Sequence, residues 1–502
     1  MPAPKSVVLV TVDCLRADHC SFMGYGRPTT PFLDQLAGES FVFPAAIAVG
    51  VPTYYSVPAI LASRYPLAFG REIIGLACEE QNLASVFKSA GYTTAFFGAA
   101  NPYLSARFGY DSGFDTFEDF LEDGPDSKST PPSSARRAGW TRDLNQILSK
   151  ISHNLGPMGG LYDELYFHYC QRWAASVPKS LDALRRFPSA DVIVDRAALW
   201  LASVGEKPCF LWLHLMDPHS PYYPKAEAQQ LLGGKTMSPS QAQYLNASWN
   251  RSDLQPGALR KNREQVIMLY DSAVRWVDAQ IARLVEIIRQ SGRWENCIFV
   301  LTADHGEELL DHGGRYHAPS SLTEELIHVP LLLRAGGVKS RGLSATPFSL
   351  LHLAPTLLEA AGVSACEDFQ GKSHWREICE GRTWDEPALA ECISGCTNPF
   401  RAELRLGHRI IAVREKKYKM VLNFDTQGGE LFDLEADPAE RSPLPKDAAK
   451  AERRRLLQLA LQHLSKSRRH RSEIYLRTRL REMGPVLSRS RQPMASNVAT
   501  RM

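Results

Sequence analysis

The chain has 502 residues, of which 44% are hydrophobic and 23% charged, and its formal net charge is +3. These proportions are those of an ordinary globular protein, with room for two to four domains or for one large domain with an appendage. No run approaches the ~20 apolar residues that span a bilayer, and the N-terminus enters a strand-like run without a secretion signal. We therefore expect a cytoplasmic protein without membrane spans, whose ten cysteines are reduced thiols.

Apolar runs of strand length recur along the chain with helical segments between them. The runs are residues 6–12, 92–98, 208–215, 296–303 and 328–335. Two intervening helices are clear: residues 81–90 end at Gly91, and residues 261–290 repeat apolar residues at helical spacing. Apolar strands that alternate with amphipathic helices predict a doubly wound α/β/α sandwich around a mostly parallel sheet. Such sheets carry their sites beyond the carboxyl ends of the strands.

The domain organisation follows from segments that leave this alternation. We expect residues 1–370 to form the catalytic domain, with an insertion at 121–188 that either packs on the core or forms a lid over the site. Residues 371–445 predict a small C-terminal α+β subdomain built on an antiparallel meander. Residues 446–502 predict a basic tail, namely a solvated helix with a disordered end. Contact of this tail with an anionic lipid, a substrate or a nucleic acid is the alternative, and nucleic acid is the least expected of these.

Three short segments carry residue types that suit metal-dependent chemistry. Asp13 follows the first apolar run, and Asp304 and His305 follow the fourth, with Gly306 expected to turn the backbone away. Carboxylates and an imidazole at neighbouring strand ends can face one cation. Thr53 stands where a helix begins, so helix amides and a cation together would stabilise its alkoxide. A helix cap for Thr53 and a turn for Asp13 are the structural alternatives.

Histidines cluster near the same strand ends. His219 lies in the turn DPHSPY after the third run, where it could donate to an ester oxygen or protonate a leaving group. His214 lies within the preceding strand and is either a second substrate contact or a core histidine with its hydrogen bonds satisfied. His312 and His317 follow the segment TADHG closely, and this density of potential ligands favours a metal site.

Together these segments resemble the sulfatase branch of the alkaline phosphatase superfamily. The opening VTVDCLRADHCSFMGYGRPTTPFLDQL, the middle LASVFKSAGYTTAFFG and MDPHSPY, and the later TADHGEELLDHG and YKMVLNFDTQGGELFDLEADPAER occur in the family's order over nearly the whole chain. The resemblance implies one divalent cation, which could be calcium, manganese, magnesium or zinc. It assigns its ligands to Asp13, Thr53, Asp304 and His305. It also implies that Thr53 is the nucleophile and that His219 and His317 contact the anionic group of the substrate.

The departures from the family pattern are informative. Sulfatases carry a cysteine within CxPxR that is oxidised to formylglycine, and alignment on ILASRYP puts Thr53 at that position. The hydrate of formylglycine can expel sulfate by collapsing to an aldehyde, whereas a threonine sulfate ester has no comparable exit. A threonine phosphoester can instead be attacked in line at phosphorus by water or an alcohol. This difference favours a phosphorus substrate over a sulfur one.

Three other departures concern the shape of the site. Cys14 replaces the family's second carboxylate and is a further candidate ligand of the cation. The substrate-binding segment expected near residue 100 reads GAANPYL, with Asn101 as its polar candidate. Relatives with two metal ions use Asp-xxx-His, whereas only Pro218 separates Asp217 from His219 here, so a two-zinc centre is not expected.

The sequence therefore predicts a metal-dependent, sulfatase-like hydrolase that cleaves a phosphodiester or phosphomonoester through a covalent Thr53 intermediate. Its substrate would be a small-molecule or lipid-like anionic ester. The alternatives, in order, are a transferase for phosphoglycerol- or phosphoethanolamine-type groups, a sulfuric ester hydrolase, and a catalytically silent binding scaffold. Arg16 and Arg64 lie near the predicted site, and we expect both to form structural ion pairs.

Overall fold

The computed structural model describes residues 5–70, 74–77, 79–121, 180–233, 236–339, 342–343, 345–396, 407–424, 426 and 428–467. Most of the predicted insertion and the end of the predicted tail lie outside these ranges, so a lid formed by residues 121–188 and a disordered end stay predictions. Within the described ranges, none of the helices combines the length and the apolar composition that crossing a bilayer requires.

The regular elements of the described ranges follow in chain order. The strands are β1 (Ser6–Val12), β2 (Phe41–Val42), β3 (Ala46–Ile47), β4 (Thr93–Gly98), β5 (Thr116–Glu118), β6 (Cys209–Leu215), β7 (Cys297–Ala303), β8 (Glu308–Leu309), β9 (Arg315–Tyr316), β10 (His328–Val329), β11 (Leu331–Ala335), β12 (Phe348–Ser349), β13 (Ala388–Ile393), β14 (Arg409–Arg414), β15 (Tyr418–Asn423) and β16 (Gly428–Asp433). The helices are α1 (Pro31–Ala37), α2 (Thr53–Ala62), α3 (Leu83–Ser89), α4 (Ala190–Val204), α5 (Ala226–Leu231), α6 (Pro239–Trp249), α7 (Pro256–Leu259), α8 (Arg263–Gln290), α9 (Glu324–Ile327), α10 (Leu353–Ala360), α11 (Trp375–Glu380) and α12 (450–467).

A seven-stranded sheet in the order β2-β11-β7-β1-β6-β4-β5 forms the centre of the molecule. The strands from β7 to β5 in that order are parallel, whereas β11 and β2 add antiparallel partners at one edge. Every residue of β1, β6 and β7 is buried, which requires cover on both faces and explains why these strands are mostly apolar. The predicted α/β class with a mostly parallel sheet is confirmed.

Two predicted elements show how local chemistry sets element boundaries. The predicted strand at 328–335 divides at Pro330 into β10 and β11, because proline has no N–H to donate to a strand ladder. The predicted helix at 81–90 is the shorter α3, whose first turn is capped by the Asn82 side chain. Gly91 follows this helix with a left-handed φ of +87°, as a helix C-terminus favours.

The C-terminal sheet subdomain is confirmed, and it includes more of the chain than expected. β13 to β16 form an antiparallel sheet in sequence order, so β13 adds a strand that precedes the predicted meander. The expectation of a solvated tail helix is wrong, because α12 packs Leu456 and Ala460 against the apolar side chains of this sheet. The helix leaves the side chains of Leu457 and Leu461, which are next in sequence to the buried pair, exposed. The exact boundary positions at 370 and 445 stay predictions.

β13 holds the segment that leads into α2. The backbone N–H of Glu391 donates to the Val49 carbonyl at 2.8 Å, and a Cβ on Gly50 would lie 2.7 Å from the Glu391 carbonyl oxygen. The Glu391 carboxylate is buried, accepts from the Leu67 N–H at 3.0 Å and lies 2.8 Å from His463 Nε2 on α12. The C-terminal subdomain therefore contacts and supports the segments on both sides of α2 in the sequence.

Candidate active site

The carboxyl ends of β1 and β7 bring two carboxylates side by side. Val12 pairs with Ala303 in the parallel register, so the next residues, Asp13 and Asp304, leave the sheet at the same level. Both side chains are fully buried. The Nε2 atom of His305 lies 3.4 Å from Asp304 Oδ2 and 3.7 Å from Asp13 Oδ1. The structure thus brings together the three metal ligands predicted at these strand ends.

The electrostatics of this carboxylate pair fit a bound cation. Asp304 Oδ2 is buried and has no hydrogen-bond partner among the described residues, a costly state for a carboxylate oxygen. Burial and the neighbouring charge of Asp13 raise the pKa of Asp304. Burial also opposes the charge of Asp13, but His219 and the hydrogen bond with His214 hold the pKa of Asp13 well below its usual range. One divalent cation between these oxygens would compensate the repulsion and the missing partner.

His305 is oriented as a metal-binding imidazole. Its Nδ1 lies 2.8 Å from the Gly306 carbonyl oxygen, so Nδ1 carries the proton and Nε2 has the free lone pair. Gly306 is required for a reason other than the expected turn, since its φ is outside the left-handed region. A Cβ at this position would clash with the carbonyl oxygen of Glu325. The close approach of two backbones, rather than a special dihedral angle, therefore excludes a side chain here.

Thr53 joins this cluster from the first turn of α2. Pro52 occupies the N-cap position, so the alternative that Thr53 acts as the helix cap is wrong. The Thr53 hydroxyl is buried, and its Oγ1 lies 3.3 Å from His305 Nε2 and 3.5 Å from Asp13 Oδ2. A hydroxyl at the start of a helix, among the atoms of a metal-ligand set, has the surroundings that an alkoxide needs.

Asn101 and His214 both lie against Asp13. The Asn101 amide donates to Asp13 Oδ2 at 2.8 Å, and His214 Nε2 lies 3.3 Å from the same oxygen. The other ring nitrogen of His214 lies 2.8 Å from the hydroxyl of Thr11, which is also buried. In the structure these side chains orient the Asp13 carboxylate, while their predicted contact with the substrate stays a prediction.

His219 and His317 form the more open side of the cluster. Their ring centroids are 4.9 Å apart, and the His317 ring lies 4.7 Å from that of His305. His317 Nδ1 lies 2.7 Å from Glu307 Oε2, and the Tyr222 hydroxyl donates to Glu307 Oε1 at 2.5 Å. Burial alone would raise the pKa of Glu307, but the adjacent His317 lowers it below the usual range. Glu307 is therefore a charged carboxylate that faces the His317 ring.

Cys14 lies between the carboxylate pair and the histidines. Its Sγ is 3.0 Å from Asp13 Oδ1 and 3.3 Å from His317 Nδ1. The backbone φ of Cys14 is +62°, a left-handed value that costs free energy in a residue with a side chain. Burial, with the charges of Glu307 and Asp13, raises the pKa of Cys14 well above its usual value. Without a cation its side chain is a thiol.

The two arginines near the site are structural, as expected. Arg16 is buried and pairs with Asp18 and Asp311, at 2.7 and 2.6 Å. Arg64 is buried and pairs with Glu80. Neither guanidinium pairs with a carboxylate of the cluster among the described residues.

Sequence reasoning missed Glu307 and Tyr222 as parts of this site. Glu307 is two residues beyond His305 in the motif TADHGEELLDHG, and Tyr222 is three residues beyond His219, so both lie inside segments that had drawn attention. The signal that could have identified Glu307 is a charged residue expected to be buried beside a strand end, because such a residue needs a partner.

Two family models match the chain. The model described as Sulfatase matches residues 5–363, and the model described as N-sulphoglucosamine sulphohydrolase, C-terminal, matches residues 315–467. The second match includes Leu456 and Ala460, the residues of α12 that pack on the C-terminal sheet.

Individual relatives match over most of their length. The multifunctional alkaline phosphatase superfamily protein PehA of Trinickia caryophylli is 23% identical, covering 89% of this chain and 92% of the relative. An arylsulfatase of Clostridium perfringens is 24% identical, with 88% and 90% coverage. The crystal structure of a phosphonate monoester hydrolase of Agrobacterium radiobacter superposes with a TM-score of 0.60 at 20% identity, over 93% of this chain and 96% of that one. That superposition establishes a shared fold.

Proposed function

The chain belongs to the sulfatase family of ester hydrolases, and on this premise we propose that it cleaves a phosphodiester or phosphomonoester through a covalent intermediate on Thr53. The observation that carries the proposal is the position of the Thr53 hydroxyl. It lies 3.3 Å from His305 Nε2 and 3.5 Å from Asp13 Oδ2, beside an Asp304 oxygen without a partner.

The residues that would hold the cation are Asp13, Thr53, Asp304 and His305, with Cys14 as a further candidate. This donor set fits a divalent cation, and members of the family are generally metal-dependent. A bound cation would lower the pKa of the Thr53 hydroxyl and neutralise charge on the ester oxygens. Asn101 and His214 would keep the Asp13 carboxylate in position.

The two half-buried histidines supply the acid chemistry in this proposal. His317, beside the charged Glu307, donates a hydrogen bond to a non-bridging oxygen of the ester. With its proton lost to solvent, Thr53 Oγ1 forms its bond to phosphorus while His219 protonates the departing alcohol oxygen. Water then attacks phosphorus in line and gives its proton to His219, the bond from phosphorus to Thr53 breaks, and the ionised Thr53 side chain is regenerated.

Two considerations support phosphorus over sulfur. A threonine ester lacks the aldehyde-forming exit that formylglycine provides for sulfate, and relatives of nearly full coverage are named a multifunctional superfamily protein and a phosphonate monoester hydrolase. Sulfate ester hydrolysis is the second candidate, because the Clostridium perfringens relative is named an arylsulfatase. A substrate panel separates the two.

The test combines substitution with trapping of the intermediate. Wild-type protein and its Thr53→Ala and Thr53→Ser variants are assayed on aryl phosphodiester, phosphate, phosphonate and sulfate. Acid-quenched samples are then analysed by intact mass. We expect Thr53→Ala to lose on the order of 10³-fold or more in turnover, Thr53→Ser to recover part of it, and a phosphoester adduct to map to residue 53. Thr116→Ala in β5, remote from the cluster, is the matched control.

Each contrary result has a distinct meaning. Wild-type turnover in Thr53→Ala would overturn the nucleophile assignment. A preference for aryl sulfate would overturn the phosphorus assignment. Faster release of the first alcohol when an acceptor alcohol is added, with the acceptor found in the product, would make the protein a transferase.

A further inference from the structure

Cys14, His219 and His317 form a second group of potential metal ligands beside the carboxylates. One ligand atom from each lies within 4.8 Å of the other two. We propose that this group binds a thiophilic divalent cation of the zinc and cadmium class, and that this cation competes with the anionic substrate. The site adjoins the oxygen-rich set of Asp13 and Asp304, since Cys14 Sγ lies 3.0 Å from Asp13 Oδ1, but its soft sulfur and borderline nitrogens select a different class of metal, so here Cys14 serves the second cation rather than the first.

The two imidazoles have the outer contacts of metal-binding histidines. His219 Nδ1 lies 2.5 Å from the Ser220 carbonyl oxygen, so Nδ1 donates there and Nε2 keeps its lone pair. His317 Nδ1 lies 2.7 Å from Glu307, whose other oxygen is held by Tyr222. A carboxylate that orients an imidazole in this way is a common support for a bound metal ion.

The backbone holds the thiol in place between the two histidines. Cys14 adopts its left-handed φ of +62° although such a value is unfavourable for a side-chain-bearing residue. The Tyr270 hydroxyl donates to the Cys14 carbonyl at 2.7 Å and helps to fix this conformation. Cys14 Sγ consequently lies against the His317 ring, 3.3 Å from Nδ1, and because Nδ1 faces Glu307, Nε2 is the nitrogen of this ring left for a metal ion. Residues held in strained conformations cluster at functional sites, which supports a role for this sulfur beyond packing.

The charges of the two sites balance separately. A hard cation at the first site is matched by the Asp13 and Asp304 carboxylates. A second dication would be matched by the Cys14 thiolate and by Glu307, while both histidines bind in their neutral form. Each dication therefore meets two negative charges of its own, and occupancy of one site leaves no net charge to be borne by the other.

Competition with the substrate follows from the shared histidines. The proposed function needs His219 and His317 to carry protons toward the ester, whereas coordination takes the lone pairs of the same rings. This consequence rests on the proposed function, but binding of the second cation does not.

The experiment is a cadmium titration of protein already loaded with magnesium or calcium, followed by the ultraviolet absorption of the cadmium–thiolate bond. We expect one cadmium ion per chain to produce this band, Cys14→Ser and Cys14→Ala to abolish it, and His219→Gln or His317→Gln to weaken binding at least ~10-fold. Cys366→Ser removes a half-buried cysteine elsewhere and should leave the band unchanged. Circular dichroism verifies the fold of each variant.

A kinetic arm tests competition. Zinc should inhibit the magnesium- or calcium-loaded enzyme competitively with the ester, with an inhibition constant that rises at least ~10-fold in Cys14→Ser. Absence of the cadmium band from the wild type would overturn the site. A band that keeps full cadmium affinity in both histidine variants would also overturn it, because the Cys14 thiolate would then bind cadmium at the Asp13 site. The titration needs no turnover, so it stands whether or not Thr53 is the nucleophile.

Discussion

Two buried charge clusters in this molecule follow opposite rules. In the candidate active site, Asp13 and Asp304 lie together without a Lys or Arg ion pair among the described residues, and Asp304 Oδ2 has no partner. At the interface with the C-terminal sheet, the fully buried Lys419 lies 2.9 Å from Glu440 and 3.1 Å from Glu324.

Lys and Arg side chains compensate the carboxylates of the second cluster, whereas the carboxylates of the first cluster have no such compensation among the described residues. Burial alone would raise the pKa of Glu324, but Lys419 and Arg414 lower it to about 2, so this carboxylate is charged and compensated within the protein. Burial and the charge of Asp13 raise the pKa of Asp304 instead. The two clusters therefore differ in the source of positive charge: Lys419 and Arg414 supply it to the second, whereas no Lys or Arg among the described residues supplies it to the first, which leaves a place for a cation from outside.

The largest expected effect is that of Asp304→Asn. Turnover should fall by about 10³-fold or more, since several kcal/mol of electrostatic stabilisation depend on the cation that this ligand holds. In metal-free protein the same substitution should raise Tm, because it removes an uncompensated buried carboxyl group. Calorimetry in a chelator compares the variants, with Asp253→Asn in the exposed Arg251 pair as the control. A lower Tm for metal-free Asp304→Asn would contradict the contrast between the clusters.

The second effect is that of Lys419→Met at the interface. Removing the cation leaves Glu440 and Glu324 buried with less compensation, so we expect a loss of about 3–5 kcal/mol in the free energy of unfolding. Turnover per folded molecule should be retained. Lys417→Met, which removes an exposed partner of Asp433, should cost far less, because solvent screens that pair. Equal losses in urea-induced unfolding of the two variants would remove the distinction between buried and exposed pairs.

The smallest effect concerns His312, whose ion pair with Glu325 joins a partly exposed imidazole to a buried carboxylate. Its hydrogen bond to Glu325 at 2.6 Å raises its pKa to about 9 against the opposing effect of partial burial. The folded-state pKa lies above the usual 6.5, so this contribution is complete below about pH 6.5 and is lost as pH rises through about 9. Over this range the Tm of the wild type should fall more than that of His312→Gln. Parallel Tm profiles would show that the ion pair contributes nothing measurable.

The sequence was sufficient to predict the candidate site residues that directly follow strands of the parallel sheet. Asp13, Asp304 and His305 follow apolar runs that pair in a parallel sheet, and the register of such strands brings the next residues together. Thr53 could be located because its position at the start of a helix within its motif is a local property of the sequence. These residues needed only the order and the direction of the strands.

The remaining contacts depend on packing that a linear pattern does not encode. Nothing in the segment GAANPYL indicates that Asn101 donates to Asp13, since that contact joins residues 88 positions apart. The pairing of His317 with Glu307 requires the chain to turn back between β8 and β9. The prediction of a solvated tail helix failed for a different reason: Leu456 and Ala460 are spaced to share one helix face, and this signal of packing was not used.

The hydrogen bond from Glu391 to Val49 bears on how this protein could be divided into modules. The boundary suggested by composition falls near residue 370, yet the strand beyond it contacts the backbone four residues before Thr53. The aromatic side chains of α2, Tyr54 and Tyr55, share one core with β13 and β14. The unit that supports Thr53 is therefore discontinuous in sequence. Exchange of the C-terminal segment between relatives would also exchange part of the packing that supports Thr53.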